Sequence, residues 1–491
     1  MARQLKRLNY GMLLRVLGSL LLIEGLFMLV PMLTCLAYGE ADWRAFGITT
    51  GGTALTGWML KRLLPVASTH FGKRESYLLT GSVWVVFSFF GMIPFIISSA
   101  GMDVSDAFFE AMSGFTTTGA TCRPADAPPL AHGIMMWQAM MQWLGGMGII
   151  LFTLAVIPTL NSSGGMQMFN AEVPGITHEK IMPRISQTAI SLWSIYAGFT
   201  LILTILLLLG PMDLFDSVCH AFGTMSTGGF SSNSGGIAAY HSDYVTILVT
   251  VFMLLGGIDF ALIFTVIMGR WERARRNDVV KWFVFTILLF WLLFDVGIWM
   301  TSASTDWRRY TIEPAFQVVS TITSTGYTYG DISTWGPLVL ALTFLMMFSG
   351  GCAGSTSGGA KFDRLLYAFK RIGNEVNRCI HPNAIYSVRI NGRIANPDLV
   401  AKVVLFLGIY VLLIAGGGVL LSAMGCPTVD SFFSSFACLS NTGFGASVTG
   451  YGDDFASIPD MAKWVLAALM LIGRLEIFTI LVLFAPAFWR K

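Results

Sequence analysis

Four short segments of the sequence end in the same kind of turn, in which a hydroxyl or amide residue precedes Thr-Gly. They read DAFFEAMSGFTTTGAT, DSVCHAFGTMSTGGF, EPAFQVVSTITSTGYT and DSFFSSFACLSNTGFG, and they end at Thr121, Phe230, Thr328 and Gly445. Backbone carbonyls from four such turns around one axis can replace the hydration shell of a monovalent cation. Glycine is needed because those carbonyls face the axis only in conformations closed to residues with a Cβ. The chemistry that these turns could carry is ion coordination by backbone oxygens.

The candidate ion-binding residues are the Thr-Gly pair of each turn and the residue before it. They are Thr117, Thr118, Gly119, Ser226, Thr227, Gly228, Ser324, Thr325, Gly326, Asn441, Thr442 and Gly443. Each segment also carries an acidic residue near its start, namely Asp106, Asp216, Glu313 or Asp430. A carboxylate suits the positive N-terminal end of a short helix, so we interpret these four as helix caps.

A second signature follows each turn, in the middle of the next apolar run. It reads LGGMG, LGGID, SGGCA and IGRLE, ending at Gly148, Asp259, Ala353 and Glu476. One Thr-Gly dipeptide is common by chance, but four copies with a matching second motif indicate a fourfold internal duplication.

The composition indicates a membrane protein, because 54% of the 491 residues are hydrophobic and only 12% are charged, against about 25% charged in soluble proteins. Ten apolar runs are long enough to span a bilayer, at roughly 14–38, 46–67, 75–99, 134–158, 187–210, 244–269, 279–302, 335–350, 399–423 and 462–486. The net charge of +3 does not indicate nucleic-acid binding, and the seven cysteines form no Cys-x-x-Cys pair, which disfavours a zinc site or disulfide scaffold.

Lys and Arg concentrate at the termini and in the loops on their side, which predicts cytoplasmic termini. On the opposite side acidic residues outnumber basic ones, as in either a solvated loop surface or a cation-attracting vestibule. Each repeat has two spans, so all four share one orientation, unlike inverted-repeat transporters. We expect an all-α membrane fold with an N-terminal helix pair (1–68) and repeats of M1 helix, pore helix and M2 helix at 69–160, 161–275, 276–375 and 376–491 around a pseudo-fourfold pore.

The third repeat departs from the others, because glycines interrupt its second span at 350–360. A run with this many glycines does not hold a helix, so we expect a loop at membrane depth, which is either a packing kink or a gate. Arg474 lies at the matching depth in the fourth repeat, where a charge is costly and usually functional. It either forms an ion pair with Glu476 or Asp259, or donates to free carbonyls of the loop. The candidate gate residues are Gly350, Gly351, Gly354, Ser355, Thr356, Gly358, Gly359, Lys361 and Arg474.

These motifs resemble the Trk/Ktr/HKT superfamily of cation translocators, and SGGCAGSTSGGAK with IGRLEIFT resembles its bacterial TrkH branch. The resemblance covers essentially the whole chain. It implies a potassium-selective filter with potassium as substrate and no bound cofactor, since sodium-preferring relatives often carry Ser at the first filter glycine. It also implies a gating loop held by the arginine, a homodimer in the bacterial inner membrane, and a separate nucleotide-binding, TrkA-like cytoplasmic subunit.

Two other functions are weighed against a gated potassium pathway. A proton- or sodium-coupled potassium symporter remains open, because the sequence does not separate uniport from symport. An intramembrane enzyme is disfavoured, since the chain has no His-Glu-x-x-His, no Gly-x-Ser-x-Gly and no paired intramembrane aspartates.

The filter assignment predicts the effect of Gly119→Ser. Because the substitution disturbs one of four carbonyl contributions, we expect it to admit sodium. Flux of potassium and sodium through purified, reconstituted protein measures this directly. Equal conduction of both ions by the unmodified protein would contradict the assignment.

Overall fold

Helices make up most of the chain, because backbone groups inside the hydrocarbon must be hydrogen-bonded within their own segment. A computed structural model describes residues 8–63, 72–124, 127–148, 185–301, 307–330, 332–444 and 455–490. Within these ranges, five helical segments are long and apolar enough to cross a membrane unbroken: Tyr10–Tyr38, Arg74–Ile97, Gln187–Leu208, Asp278–Thr301 and Pro397–Ala423. The predicted all-α membrane fold is confirmed, and a hairpin of two short strands, Arg389–Ile390 and Arg393–Ile394, is a small addition to it.

The first helices form a pair outside the repeats, with bounds Tyr10–Phe27, Leu29–Tyr38 and Trp43–Leu63. Glycines bring their backbones together, since a Cβ on Gly18 would lie 2.6 Å from the carbonyl oxygen of Gly57. Small residues at such contacts are a normal means of helix packing in membranes. The pair is tied to the first repeat by Glu40, whose carboxylate accepts hydrogen bonds from the backbone N–H of His132 (2.7 Å) and Gly133 (3.1 Å).

Each repeat contains the expected three parts, and every pore helix is short. The M1 helices are Lys73–Gly91 with Ile93–Ile97, Ile185–Leu208, Asp278–Thr301 and Pro397–Ala423. The pore helices are Val104–Phe115, Leu214–Met225, Ile312–Ile322 and Thr428–Leu439. The M2 helices begin at His132, Asp243, Pro337 and Asp460 and first end at Gly146, Gly256, Met347 and Arg474.

Short helices connect these parts. They are the 3-10 helices Gly236–Tyr240, Trp307–Tyr310 and Ile332–Trp335 and the helices Trp271–Arg275 and Pro486–Trp489. Asp106, Asp216, Glu313 and Asp430 lie in the first turn of their pore helices, whereas the cap positions are Asp103, Asp213, Thr311 and Pro427. The four carboxylates therefore suit the helix dipole, but they do not occupy the cap positions themselves.

Two M2 helices predicted as continuous are broken at the second signature. The chain bends by 101° between Asp243–Gly256 and Phe260–Ile267, and by 116° between Asp460–Arg474 and Phe478–Phe484. At the first bend the Asp259 carboxylate accepts from the N–H of Ala261 (2.9 Å) and starts a new helix. At the second, Glu476 and Ile477 have φ values of 55° and 51°, which a helix cannot continue through.

The break predicted in the third repeat is present as well, between Pro337–Met347 and Phe362–Ile380. Several predicted features lie outside the described residues. These are the span ends at 64–67 and 149–158, the repeat boundaries at 68 and 160, the basic residues Arg3, Lys6 and Arg7, and the turn residue Gly445.

An ion pair joins the fourth repeat to the first. The Lys463 ammonium, near the start of the fourth M2 helix, contacts the carboxylate of Asp106 in the first pore helix, and its side chain is only 5% exposed. It also lies 3.4 Å from the carboxylate of Asp460, which is 67% exposed. The pair therefore closes the circle of repeats on the side where the pore helices begin.

Removing one partner of a buried ion pair leaves an uncompensated charge. We expect Lys463→Met to leave Asp106 unpaired and to lower the free energy of unfolding by about 3 kcal/mol. Asp460→Asn is the matched control, because an exposed pair contributes little. Thermal unfolding in detergent compares the two, and equal effects of both substitutions would contradict a special role for the buried pair.

Candidate functional site

The turns after the four pore helices share one strained backbone geometry. The residues that leave the helices, Thr117, Thr227, Ser324 and Asn441, have φ values of 54°, 52°, 50° and 52°, and all four are fully buried. Positive φ is unusual for residues with a Cβ, above all for threonine. Strain of this kind costs about 1–3 kcal/mol per residue and persists where the surroundings enforce it. Its repetition in four places indicates a common functional geometry.

Four glycines close these turns into a ring. Gly119, Gly229, Gly326 and Gly443, hereafter the ring glycines, have φ values of 77°, 84°, 83° and 66°. A Cβ on each would collide with a carbonyl oxygen of the next repeat, in the order Gly228, Thr325, Thr442 and Thr118. The fourth contact returns to the first repeat, so one chain closes the circle. The carbonyls of Thr118, Gly228, Thr325 and Thr442, hereafter the ring carbonyls, immediately precede the ring glycines.

The ring glycine of the second repeat is Gly229, one residue after the predicted Gly228. Gly229 has the positive φ of the other three, whereas Gly228 does not. The N–H of Gly228 donates to Gly223 (2.8 Å), as that of Thr118 does to Ser113 (2.9 Å). Alignment on Thr-Gly is therefore displaced by one residue in this repeat. Aligning the repeats on the aromatic residue that follows each ring glycine would have identified Gly229 correctly. That residue is Phe230, Tyr327 or Phe444 in the second, third and fourth repeats.

Behind the ring, a side chain of the pore helix accepts a hydrogen bond from the segment that leaves the turn, hereafter the outgoing strand, although it forms no β-sheet. This support occurs in at least three repeats. The Glu110 carboxylate accepts from the N–H of Cys122 (3.2 Å) and from the side-chain amide of Gln138 (2.6 Å). In the equivalent place, the Gln317 side-chain oxygen accepts from the N–H of Tyr329 (3.1 Å). These supports were missed in the sequence, because a lone polar residue in a pore helix carries no spacing signal.

His220 is the equivalent support in the second repeat. Its Nδ1 lies 2.8 Å from the carbonyl oxygen of Asp216, which can only accept, so Nδ1 carries the proton. Its Nε2 lies 3.0 Å from the Ser231 hydroxyl. The imidazole therefore holds the outgoing strand through a side chain instead of a backbone N–H.

The predicted intramembrane loop, 350–360, lies against the ends of the pore helices. Gly350, Gly354 and Gly359 have φ values of 64°, 83° and 77°, which explains why glycine is needed at these places. The side chains of Ser355 and Ser357 lie 2.7 Å apart, and the Ser357 hydroxyl accepts from the N–H of Gly351 (3.0 Å). The loop is therefore an ordered turn with its own hydrogen bonds.

The loop contacts the strained turns of three repeats. The Gly358 N–H donates to the Ser324 hydroxyl at 2.6 Å, and the Thr356 hydroxyl lies 3.4 Å from that of Thr227. A Cβ on Gly358 would lie 2.7 Å from the Cβ of Asn441. The loop therefore lies against the turns of three of the four repeats.

Arg474 holds the loop to the remaining repeat. Its guanidinium donates to the carbonyl oxygen of Thr356 (2.8 Å) and to those of Gly145 (2.6 Å) and Gly146 (2.8 Å) in the first M2 helix. Of the two alternatives drawn from the sequence, hydrogen bonding to loop carbonyls is the one that the structure contains. The guanidinium also lies 5.9 Å from the ring of Trp84.

Glu476 pairs with Arg364, which follows the loop, and not with Arg474. Arg364 also stacks over Phe406, 4.1 Å from its ring centre. The sequence singled out neither interaction. Asp259 packs against the loop from the second repeat, since a Cβ on Gly354 would lie 2.5 Å from its carboxylate.

A cavity of about 80 Å³ lies between the loop and the first and fourth M2 helices. Its lining includes the side chains of Lys361, Arg474 and Glu476. The Lys361 ammonium donates to the carbonyl oxygen of Ser357, again within the loop. The space next to the loop therefore carries two cationic groups together with the carboxylate of Glu476, which is paired with Arg364.

The atoms gathered at the ring are backbone oxygens, with hydroxyl side chains next to them. Within the described ranges no three His, Cys, Asp or Glu side chains are grouped to hold a metal ion. The ring instead gathers backbone carbonyls and threonine hydroxyls. Hydroxyl pairs Thr116–Thr118, Thr323–Thr325 and Ser440–Thr442 each lie 2.8 Å apart.

Comparison with known proteins agrees with this architecture. The family model described as TrkH, a cation transport protein, matches residues 58–491. The Trk system potassium uptake protein TrkH of Escherichia coli strain K12 is 35% identical over 99% of this chain and 100% of that protein. TrkI, a Trk system potassium uptake protein of Halomonas elongata, is 34% identical over 98% of both chains.

A solved structure is similar over the same length. The crystal structure of the potassium transporter TrkH from Vibrio parahaemolyticus has a TM-score of 0.88 and 31% identity, and the match covers 98% of this chain and 100% of that one. The sequence family, the fourfold ring and the broken M2 helices lead to one conclusion: the chain belongs to the TrkH family of cation transport proteins, which is a family of transporters and not of enzymes.

Proposed function

We propose that this protein takes up potassium across the bacterial cytoplasmic membrane through the ring of four turns. The observation that carries the proposal is the closed circle of ring glycines, each against a carbonyl oxygen of the next repeat. Carbonyl oxygens around an axis substitute for the water lost by a potassium ion. The naming of the similar bacterial proteins as potassium uptake proteins supports the same substrate.

We attribute the selectivity for potassium to ring carbonyls whose backbone is held in fixed positions. The filter residues are those predicted from the sequence, with Gly229 added as the ring glycine of the second repeat. Strained residues below the ring and polar supports behind it fix the carbonyl positions from both sides. A ring so constrained favours an ion that fits its oxygens without further contraction, and thus potassium over the smaller sodium ion.

The loop 350–360 is the gate in this proposal. It lies against three of the four turns, and Arg474 fastens it to the first repeat. Lys361 and Arg474 also place positive charge beside the blocked path, and like charges repel strongly where water is scarce. The closed state therefore combines a steric and an electrostatic barrier. Opening requires the loop to withdraw and Arg474 to give up its carbonyl acceptors.

Orientation and partners follow from charge and family. Both termini and the basic segments 270–281 and 361–393 face the cytoplasm. A nucleotide response needs a separate, TrkA-like subunit, since every glycine-rich stretch of this chain lies in or beside a span. The basic segments are the docking surfaces that we assign to that subunit. The protein is a homodimer in this proposal, as the family resemblance implies. Each protomer has its own pore, because four repeats close a ring within one chain.

Flux into liposomes tests the function. Purified protein should conduct potassium and rubidium and discriminate against sodium and lithium. Varying the membrane potential and pH separates uniport from proton or sodium symport, because only symport responds to the gradient of the second ion. Absence of potassium flux from folded protein, with its regulatory partner present, would overturn the proposal.

The gate predicts that Arg474→Ala and deletion of 354–357 both raise potassium flux several-fold without a partner. The first change removes the donors to Thr356 and the second removes the plug, so the double variant should add little to either. Arg378→Ala is the control, since Arg378 is an exposed partner of Glu375 away from the loop. Unchanged or reduced flux in well-folded single variants would remove the gate.

The assembly predicts that cross-linking in native membranes gives a dimer. Each protomer should keep its own pathway, so an inactivated protomer should leave its partner active. A tetramer that shares one central pore would contradict both statements.

A further inference from the structure

The boundary between the first and second repeats differs from the other boundaries in the residue types at two positions, and these two residues are in contact. Counting back from the second signature, Gln142 of the first M2 helix corresponds to Met253, Met347 and Met470. All four side chains are fully buried. Three repeats thus place an apolar side chain where the first repeat places an amide. Burial of an amide is costly unless its hydrogen bonds are made.

Gln142 contacts Gly228, and Gly228 is itself the exceptional residue among those that supply the ring carbonyls. The residue that supplies the ring carbonyl is threonine in three repeats and Gly228 in the second. The three threonines pair their hydroxyls with the residue two positions earlier, at 2.8 Å in each case. Gly228 has no hydroxyl to do this.

The side-chain amide of Gln142 occupies the space where a side chain at position 228 would lie. Its Nε2 donates to the carbonyl oxygen of Gly228 at 2.6 Å, and its Oε1 accepts from the N–H of Phe230 at 3.2 Å. The carbonyl can only accept and the N–H can only donate, so the orientation of the amide is settled. A Cβ on Gly228 would lie 2.5 Å from Cδ of Gln142, so this glutamine and a threonine at 228 exclude each other.

We propose that Gln142 is a positioning residue for the ion pathway, and that Gln142 with Gly228 replaces the Met–Thr combination of the other repeats. The inference rests on the proposed function, since it assigns the Gly228 carbonyl to the potassium filter. The amide bridges the two peptide groups on either side of the ring glycine Gly229. It thereby fixes one of the four ring carbonyls by hydrogen bonds from the neighbouring repeat. At the other three positions the threonine hydroxyl pairs within its own turn, and that of Thr118 also accepts from Asn441.

The test is a two-residue exchange in the full-length protein reconstituted in liposomes. Gln142→Met removes both hydrogen bonds and leaves the space beside Gly228 poorly filled. Gly228→Thr drives a side chain into Gln142. We expect each single variant to lower the potassium-to-sodium permeability ratio about tenfold, the effect of losing one to two net hydrogen bonds. The double variant restores the Met–Thr combination and should return to within about twofold of the unmodified protein, because the two positions are coupled.

Gln138→Met is the control for contact with Gly228, and its own effect through Glu110 is measured in the single variant. It removes a buried amide one turn earlier on the same helix, where the amide donates to Glu110 and does not touch Gly228. Combined with Gly228→Thr, it should give no recovery. If Gly228→Thr does not fold, Gly228→Ala carries the same test with Gln142→Met, since the Cβ alone meets Gln142.

Failure of the positioning role and failure of the proposed function give different results. Unchanged selectivity in folded Gln142→Met, or a double variant as poor as the product of the two single effects, would overturn the positioning role. An unmodified protein that does not discriminate between potassium and sodium would instead overturn the proposed function itself.

Discussion

Four backbone turns can meet around one axis only if nothing projects from the point where each touches the next. The ring glycines satisfy this constraint, and each is backed by a carbonyl oxygen of the following repeat. The rest of the fold serves to hold the contact. Short pore helices end in strained residues that aim the turns inward. The Lys463–Asp106 pair and the bond from the Asn441 side chain to the Thr118 hydroxyl (3.0 Å) join the last repeat to the first.

One repeat departs from the fourfold plan, and it carries the loop that we propose as the gate. The second and fourth M2 helices bend at the second signature, whereas the third M2 helix gives way to the loop 350–360, which lies against the turns that follow the pore helices. The loop makes polar contacts with Ser324, Thr227 and Arg474. Hydrogen bonds of this kind contribute little net stability each, so in the proposed gating mechanism a partner that binds the open arrangement needs modest energy to shift the equilibrium.

The repeats, the membrane fold and the break in the third M2 helix could all be predicted, because each leaves a signal in residue type and spacing. The register of the second turn could not be read from Thr-Gly alone, since two consecutive glycines follow Thr227 and only backbone geometry separates them. The bends of the second and fourth M2 helices were missed because their apolar pattern continues through Asp259 and Glu476. Gln142 was missed because its meaning lies in a contact with Gly228, 86 residues away along the chain.

Crystallography with rubidium or thallium in place of potassium tests the central claim most directly, because their anomalous scattering locates the ion. The account predicts a peak on the axis of the ring, bounded by the carbonyl oxygens of Thr118, Gly228, Thr325 and Thr442. Anomalous peaks confined to carboxylates outside the ring, with an empty axis, would contradict it.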